Sequence, residues 1–168
     1  KMFDISQDCK GTPLTLFDSH AHYDDARFDE DRYEALQRAY DNGIKYIVDA
    51  ASDVESARKI ISLTQKFGFV YAAVGIHPHN VADTNDSTFS ILFDLASNHK
   101  VVAIGEIGLD YYYDNSQREL QRHWFSKQIN LAKELNLPII VHNRESHEDS
   151  LKIVKSEGAR EVGGVFHC

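Results

Sequence analysis

Six short apolar runs, separated by stretches of helical periodicity, recur along the 168 residues, and this alternation constrains the fold more than any single residue does. The runs are "TLFD", "IKYIVDA", "FVYAAVGIHPH", "VVAIGEIGLD", "LPIIVHNR" and "VGGVFHC". Between the first two, "DEDRYEALQRAYDNG" puts Tyr33, Leu36 and Tyr40 on one helical face and stops at Asn42 and Gly43. "SDVE", Ser52 to Glu55, reads as a capping box opening a helix that carries Ala57, Ile60, Ile61 and Thr64 and ends at Gly68. "STFSILFDLASN" reads as a third helix. A second capping box, "SQRE" at Ser116, opens a long helix through Leu120, Trp124, Ile129, Ala132 and Leu135, with Trp124 in the core, and "SHEDSLKIVKSEG" forms the last one. Strands and helices alternating at this spacing form βαβ units, hence a parallel sheet, either open and doubly wound or closed into a barrel.

The placement of the polar residues favours the barrel. His20 and His22, Asp49, His77 and His79, Glu106 and Asp110, His142 and Arg144, and His167 all fall where an apolar run stops, at the C-terminal ends of the expected strands. Ligands from many strands converging on one centre suit a barrel mouth, and the glycine-rich dinucleotide fingerprint of an open sheet does not follow the first strand.

Taken singly, a histidine or glutamate at a strand end is an ordinary solvated loop residue. Together they offer imidazole nitrogens and a carboxylate able to bridge, the mixture that a divalent ion acting in hydrolysis requires. His20 and His22, one residue apart, point to the same side of a strand and could converge on one ion. Glu106 is an acid inside an otherwise apolar run, and a cation at the strand end is its simplest partner. His99, His123 and His147 read as loop, helix-surface and capping residues.

Composition narrows the classes. With 42% hydrophobic and 26% charged residues the chain suits one globular domain, and a formal charge of −8 excludes a broad basic surface for nucleic acid, so a phosphate-bearing substrate would need a local cation such as a metal. Cys9 and Cys168 make neither a disulfide framework nor a zinc knuckle, and a reducing compartment follows. Residues 1–15 read as a polar leader without the apolar core of a signal peptide, and no run reaches membrane-spanning length. The expected location is therefore the cytoplasm, with a nucleus or organelle as alternatives. "NDS" at Asn85 matches a glycosylation sequon that matters only in secreted chains.

The segments "DSHAHYD", "GIHPH", "GEIGLDYYYD", "LPIIVHNRE" and "GVFHC", in that order, with "QRELQRHWFSKQINLAKELNLP" as connecting helix, resemble the TatD-type metal-dependent deoxyribonucleases among the amidohydrolase-like barrels. The resemblance runs from Leu16 to Cys168. It implies a TIM-type (β/α) barrel of which about six of eight βα units lie in this chain, and one or two divalent ions, magnesium, manganese or zinc. It implies His20, His22, Glu106, His142 and His167 as metal ligands, with Glu106 bridging and catalytic. His77 and His79 in "GIHPH" are read as groups that support the metal ligands or contact substrate phosphate, not as direct ligands, and Arg144 as a forked contact to the phosphate or else as paired with Glu145 or Glu148 on the surface. Tyr111 to Tyr113 could stack a base, with at least one of the three packing beside the barrel mouth instead.

In that family the chain continues after "HC" through two further βα units, the last bringing an aspartate that serves as ligand and base. Here the chain stops at Cys168, so an open barrel that self-associates through its edges is expected. Three functions stay open: a hydrolase cleaving phosphodiester bonds of DNA from a strand end, a related barrel hydrolysing a small ester, amide or lactone, and a truncated binding paralogue without catalysis.

Overall fold

The computed structural model describes residues 15–167, so the leader up to Leu14, with Cys9, and the terminal Cys168 lie outside the described residues. Six strands, β1 (Leu16–Ala21), β2 (Ile44–Ala50), β3 (Val70–Val74), β4 (Val101–Asp110), β5 (Ile139–Arg144) and β6 (Gly164–His167), form one sheet in chain order, each neighbouring pair parallel. Between them run α1 (Arg32–Asp41), α2 (Val54–Lys66), α3 (Asp86–Ala96), α4 (Arg118–Leu135) and α5 (His147–Ser156).

An order without reversal has no switch point, which sets aside the doubly wound sheet. The sheet also curls. His20 on β1 and His167 on β6 stand on opposite edges, about 24 Å apart if six strands lay flat at their usual spacing. Their rings instead stack at 4.0 Å. The fold is therefore that of a TIM-type barrel, six strands of it, as expected.

Two apolar layers hold this curve. Small and branched residues, Val48, Ala50, Ala73, Ala103 and Ile140, pack on the concave face. On the convex face Ile104, Ile107, Leu109 and Val141 pack against Trp124, Phe125 and Ile129 of α4, so Trp124 is core as its spacing predicts. β4 is buried along nearly all its length, the pattern of a central parallel strand. A register shift between Ile104 and Ile107 puts these two residues on the same convex side although they are three apart. Below the shift Ala103 faces inward; above it Glu106, Gly108 and Asp110 do.

Three local expectations need correction. α2 is capped by Asp53, whose carboxylate accepts the Ser56 N–H at 2.8 Å, and not by Ser52, whose carbonyl is taken by the His77 N–H at 2.9 Å. α4 begins after Gln117 with no side-chain cap, because the buried Ser116 hydroxyl donates to the His79 carbonyl at 3.0 Å. In α1 the buried residues are Ala35 and Leu36. Tyr33 is 47% exposed and carries the Lys66 ammonium over its ring, while Tyr40 leans on Phe69 at 4.5 Å. The sequon's asparagine serves the fold, because Asn85 closes a capping box on α3. His99 and His123 are exposed on a loop and on α4, and His147 opens α5 against Asn143.

Candidate metal centre

The curl brings the C-terminal strand ends to one side. Gly108, His142 and His167 stand in line across β4, β5 and β6. Gly108 is required there, since a Cβ on it would meet the His142 carbonyl oxygen at 2.0 Å and its φ is +139°. The close approach sets Glu106 against His142.

Glu106 is buried and surrounded by imidazoles. Its Oε1 lies 2.9 Å from His142 Nδ1, 3.2 Å from His167 Nε2 and 3.9 Å from His77 Nε2, and its Oε2 lies 3.3 Å from Nε2 of both His20 and His22. The two histidines of "HAH" do converge, their Nε2 atoms 2.9 Å apart. His22 Nδ1–H donates to the Ala50 carbonyl at 2.9 Å, so its Nε2 is left facing Glu106, as a lone pair for an ion when the ring is neutral and as a donor to the carboxylate when it is protonated.

These donors fit a divalent ion. For bonds of about 2.0–2.1 Å, tetrahedral ligand atoms sit roughly 3.3 Å from one another. The His20, His22 and Glu106 atoms, at 2.9 to 3.3 Å, trace such a face. A second group, His77, Glu106 and His142, is also compact enough to hold an ion. Glu106 belongs to both groups, as a bridging carboxylate would.

Asp110 ties the outer half of the site together. Its Oδ2 lies 2.9 Å from His79 Nε2 and 3.0 Å from His142 Nε2, while its Oδ1 accepts the backbone N–H groups of Tyr112 and Tyr113. His142 is thus held between two carboxylates, so one nitrogen can bind an ion while the other donates to an acid. His77 differs. Its Nδ1 accepts the His79 N–H at 3.2 Å, so the neutral ring carries its proton on Nε2, a donor aimed at Glu106.

The electrostatics follow from this crowding. Burial opposes the charge on Glu106, but hydrogen bonds from His142, His20 and His22 outweigh it and hold the carboxyl far below the usual range. Burial likewise opposes Asp110, and the Tyr113 N–H with His79 and His142 brings it down to about 2. Burial lowers His77 to about 3, so its ring stays neutral. His22 is raised, first through Glu106, and His142 is raised by Glu106 and Asp110 against its burial.

In front of Glu106 opens a cleft of about 560 Å³. His77, His79 and Arg144 line it, together with Glu106 and His142. Arg144 pairs with neither Glu145 nor Glu148; its guanidinium lies over the rings of Tyr112 and Tyr113. Asp49 is not in the cleft. It has the parity of Ile47, which packs with Leu36 and Leu63 on the helix side, and its Oδ1 accepts the Tyr23 N–H at 2.7 Å. Burial pushes its carboxyl up to about 7. Asp24, which no sequence signal marked, lines the cleft and accepts the Ser56 hydroxyl at 2.6 Å. Asp110, named among the strand-end polar residues but given no role there, shares the inward parity of Glu106 four positions on.

The geometry has counterparts. The sequence model described as TatD related DNase matches residues 17–168. A Bacillus subtilis protein named as the uncharacterized metal-dependent hydrolase YabD is 42% identical over 153 residues, covering 91% of this chain and 60% of its own length. The 3'-5' ssDNA/RNA exonuclease TatD of Cronobacter sakazakii is 32% identical over 153 residues, 91% of this chain and 58% of that one. The crystal structure of YJJV, a TatD homolog from Escherichia coli, superposes with a TM-score of 0.80 at 33% identity, covering 86% of this chain and 57% of that one. The chain therefore spans about three fifths of the length of these relatives. With a match reaching from β1 to the end of β6, and an acid ringed by strand-end histidines at its centre, the chain belongs to the TatD related DNase family.

Proposed function

We propose that the protein is a metal-dependent hydrolase that cleaves phosphodiester bonds of DNA. The observation that carries this reading is the ring of imidazoles on one buried carboxylate, Glu106, at the open end of the strands. His20, His22, Glu106, His142 and His167 would hold one or two divalent ions, magnesium, manganese or zinc. A bound ion supplies charge to neutralise the phosphate and lowers the pKa of water. Glu106 stays ionised and would be the ligand shared by two ions. His77 and His79, which line the cleft beside Glu106, would contact a phosphate oxygen, His79 being held against Asp110, and the Arg144 guanidinium would give the phosphate a cation in an acidic protein.

The relative named as a 3'-5' ssDNA/RNA exonuclease supports a nucleic-acid substrate. Among the described residues no helix is long and apolar enough to cross a membrane. The test is cleavage of a single-stranded oligonucleotide beside a panel of small esters and lactones, with manganese, magnesium or zinc and with chelator. Metal-dependent shortening of the oligonucleotide is expected. Turnover of the esters alone would replace the reading with small-molecule hydrolysis, and metal binding without any turnover would make the chain a binding module.

A further inference from the structure

The cleft has two unlike walls. On one side the acids Asp24, Asp25, Asp53 and Glu55 stand among the cations Arg27 and Lys59, with Arg27 paired to Asp25 at 2.9 Å. On the other stand Tyr113 and Arg144, with Tyr112 beyond them. Tyr112 and Tyr113 are each 54% exposed and meet edge to face, centroids 4.8 Å apart at 88°. The guanidinium carbon of Arg144 lies 4.2 Å from the centre of the first ring and 4.8 Å from the second. Cation–π contact with two rings aligns the guanidinium without consuming its N–H groups. Among the described residues Arg144 forms no ion pair.

The rings are held from behind. Asp110 Oδ1 accepts the Tyr112 N–H at 3.0 Å and the Tyr113 N–H at 2.8 Å, while its Oδ2 reaches His142, which touches Glu106. Tyr113 also stands edge-on to His79, centroids 5.5 Å apart. One buried acid thus fixes the backbone turn that carries two exposed aromatic rings beside the metal centre. Rings that stay half exposed beside a cation suit a ligand that alternates flat rings with phosphates.

We propose that Tyr113, with Tyr112 and Arg144, forms a base-stacking subsite that takes one unpaired nucleobase beside the phosphate bound at the Glu106 centre. This rests on the nucleic-acid reading above and adds to it the reason for strand selection. In a duplex both faces of a base are covered by its neighbours, so only an unpaired or terminal base can lie on a protein ring.

The test measures binding of a short single-stranded DNA to the protein with manganese, against the same strand carrying an abasic residue at each position in turn. Wild-type protein should bind one of the abasic strands about tenfold more weakly than the intact strand, the effect of one stacked base. Tyr113→Ala should lose that difference, and Tyr113→Phe, which keeps the ring, should retain it. A 2-aminopurine at the sensitive position should be quenched by wild type and by Tyr113→Phe but not by Tyr113→Ala. If wild type cleaves the DNA and Tyr113→Ala keeps the full abasic difference, the subsite is overturned and the nuclease reading stands. If wild type neither binds nor cleaves any strand with metal, both fall.

Discussion

Glu106 and Asp110, four residues apart on the inward face of β4, hold the same histidine from its two ends: His142 Nδ1 lies 2.9 Å from Glu106 and its Nε2 lies 3.0 Å from Asp110. The two acids therefore have separable roles. Glu106 faces five imidazoles and can bridge ions, while Asp110 orients His142 and His79 and carries the tyrosine turn.

Replacing Glu106 by Gln keeps the shape and removes the charge that the five histidines share. Affinity for manganese or zinc should fall by at least about 100-fold, because a ligand is lost and not merely its support. Isothermal titration checks this, with circular dichroism to show that the fold persists. Equal metal affinity in the variant would remove Glu106 from the centre.

Asp110→Asn should weaken metal binding by about 10- to 100-fold, the range for losing a group that orients a ligand. Competition with a chelating dye measures it. His123→Ala, on the exposed face of α4, should change metal affinity and stability by no more than about 0.5 kcal/mol. If the two variants behave alike, Asp110 has no orienting role.

Gly108→Ala places a methyl group 2.0 Å from the His142 carbonyl oxygen at a φ of +139°. The strands must part, and a loss of about 3 kcal/mol or more in urea unfolding is expected. Gly68→Ala is the control, since nothing lies within 4 Å of its added Cβ. That substitution should be neutral or stabilise by up to about 1 kcal/mol.

Asp49 predicts a pH dependence. Its carboxyl rises from an ordinary 3.8 to about 7 on folding, because burial penalises the charged form. The native protein thus holds this proton more tightly than the unfolded chain does, and stability falls as pH climbs from about 4 to about 7, then levels. Asp49→Asn should flatten that decline in metal-free protein. Unfolding free energies at pH 5 and pH 8 measure the difference, and an identical decline in the two proteins would assign it to other groups.

The arrangement of strands and helices was legible because hydrophobic period is a local property. The strand "VVAIGEIGLD" occupies 101–110 as its unbroken apolar run predicts, and the histidines fall where the apolar runs stop. Helix caps were less legible. "SDVE" and "SQRE" satisfy the capping pattern, yet Ser52 and Ser116 give their polar groups to the loop that carries His77 and His79. A tertiary hydrogen bond there outcompeted a local one.

By itself the sequence determined the succession of strands and helices along the chain, the strand ends at which the imidazoles fall, and the presence of an acid within an apolar strand, since each follows from neighbours along the chain. Only the tertiary structure decided that His20 meets His167, that Asp110 shares His142 with Glu106, that Asp49 turns to the helices and that Arg144 lies on the tyrosines. Those relations depend on the curl of the sheet and on the register shift in β4, which are set by packing between residues far apart in the chain and leave no mark on its local periodicity.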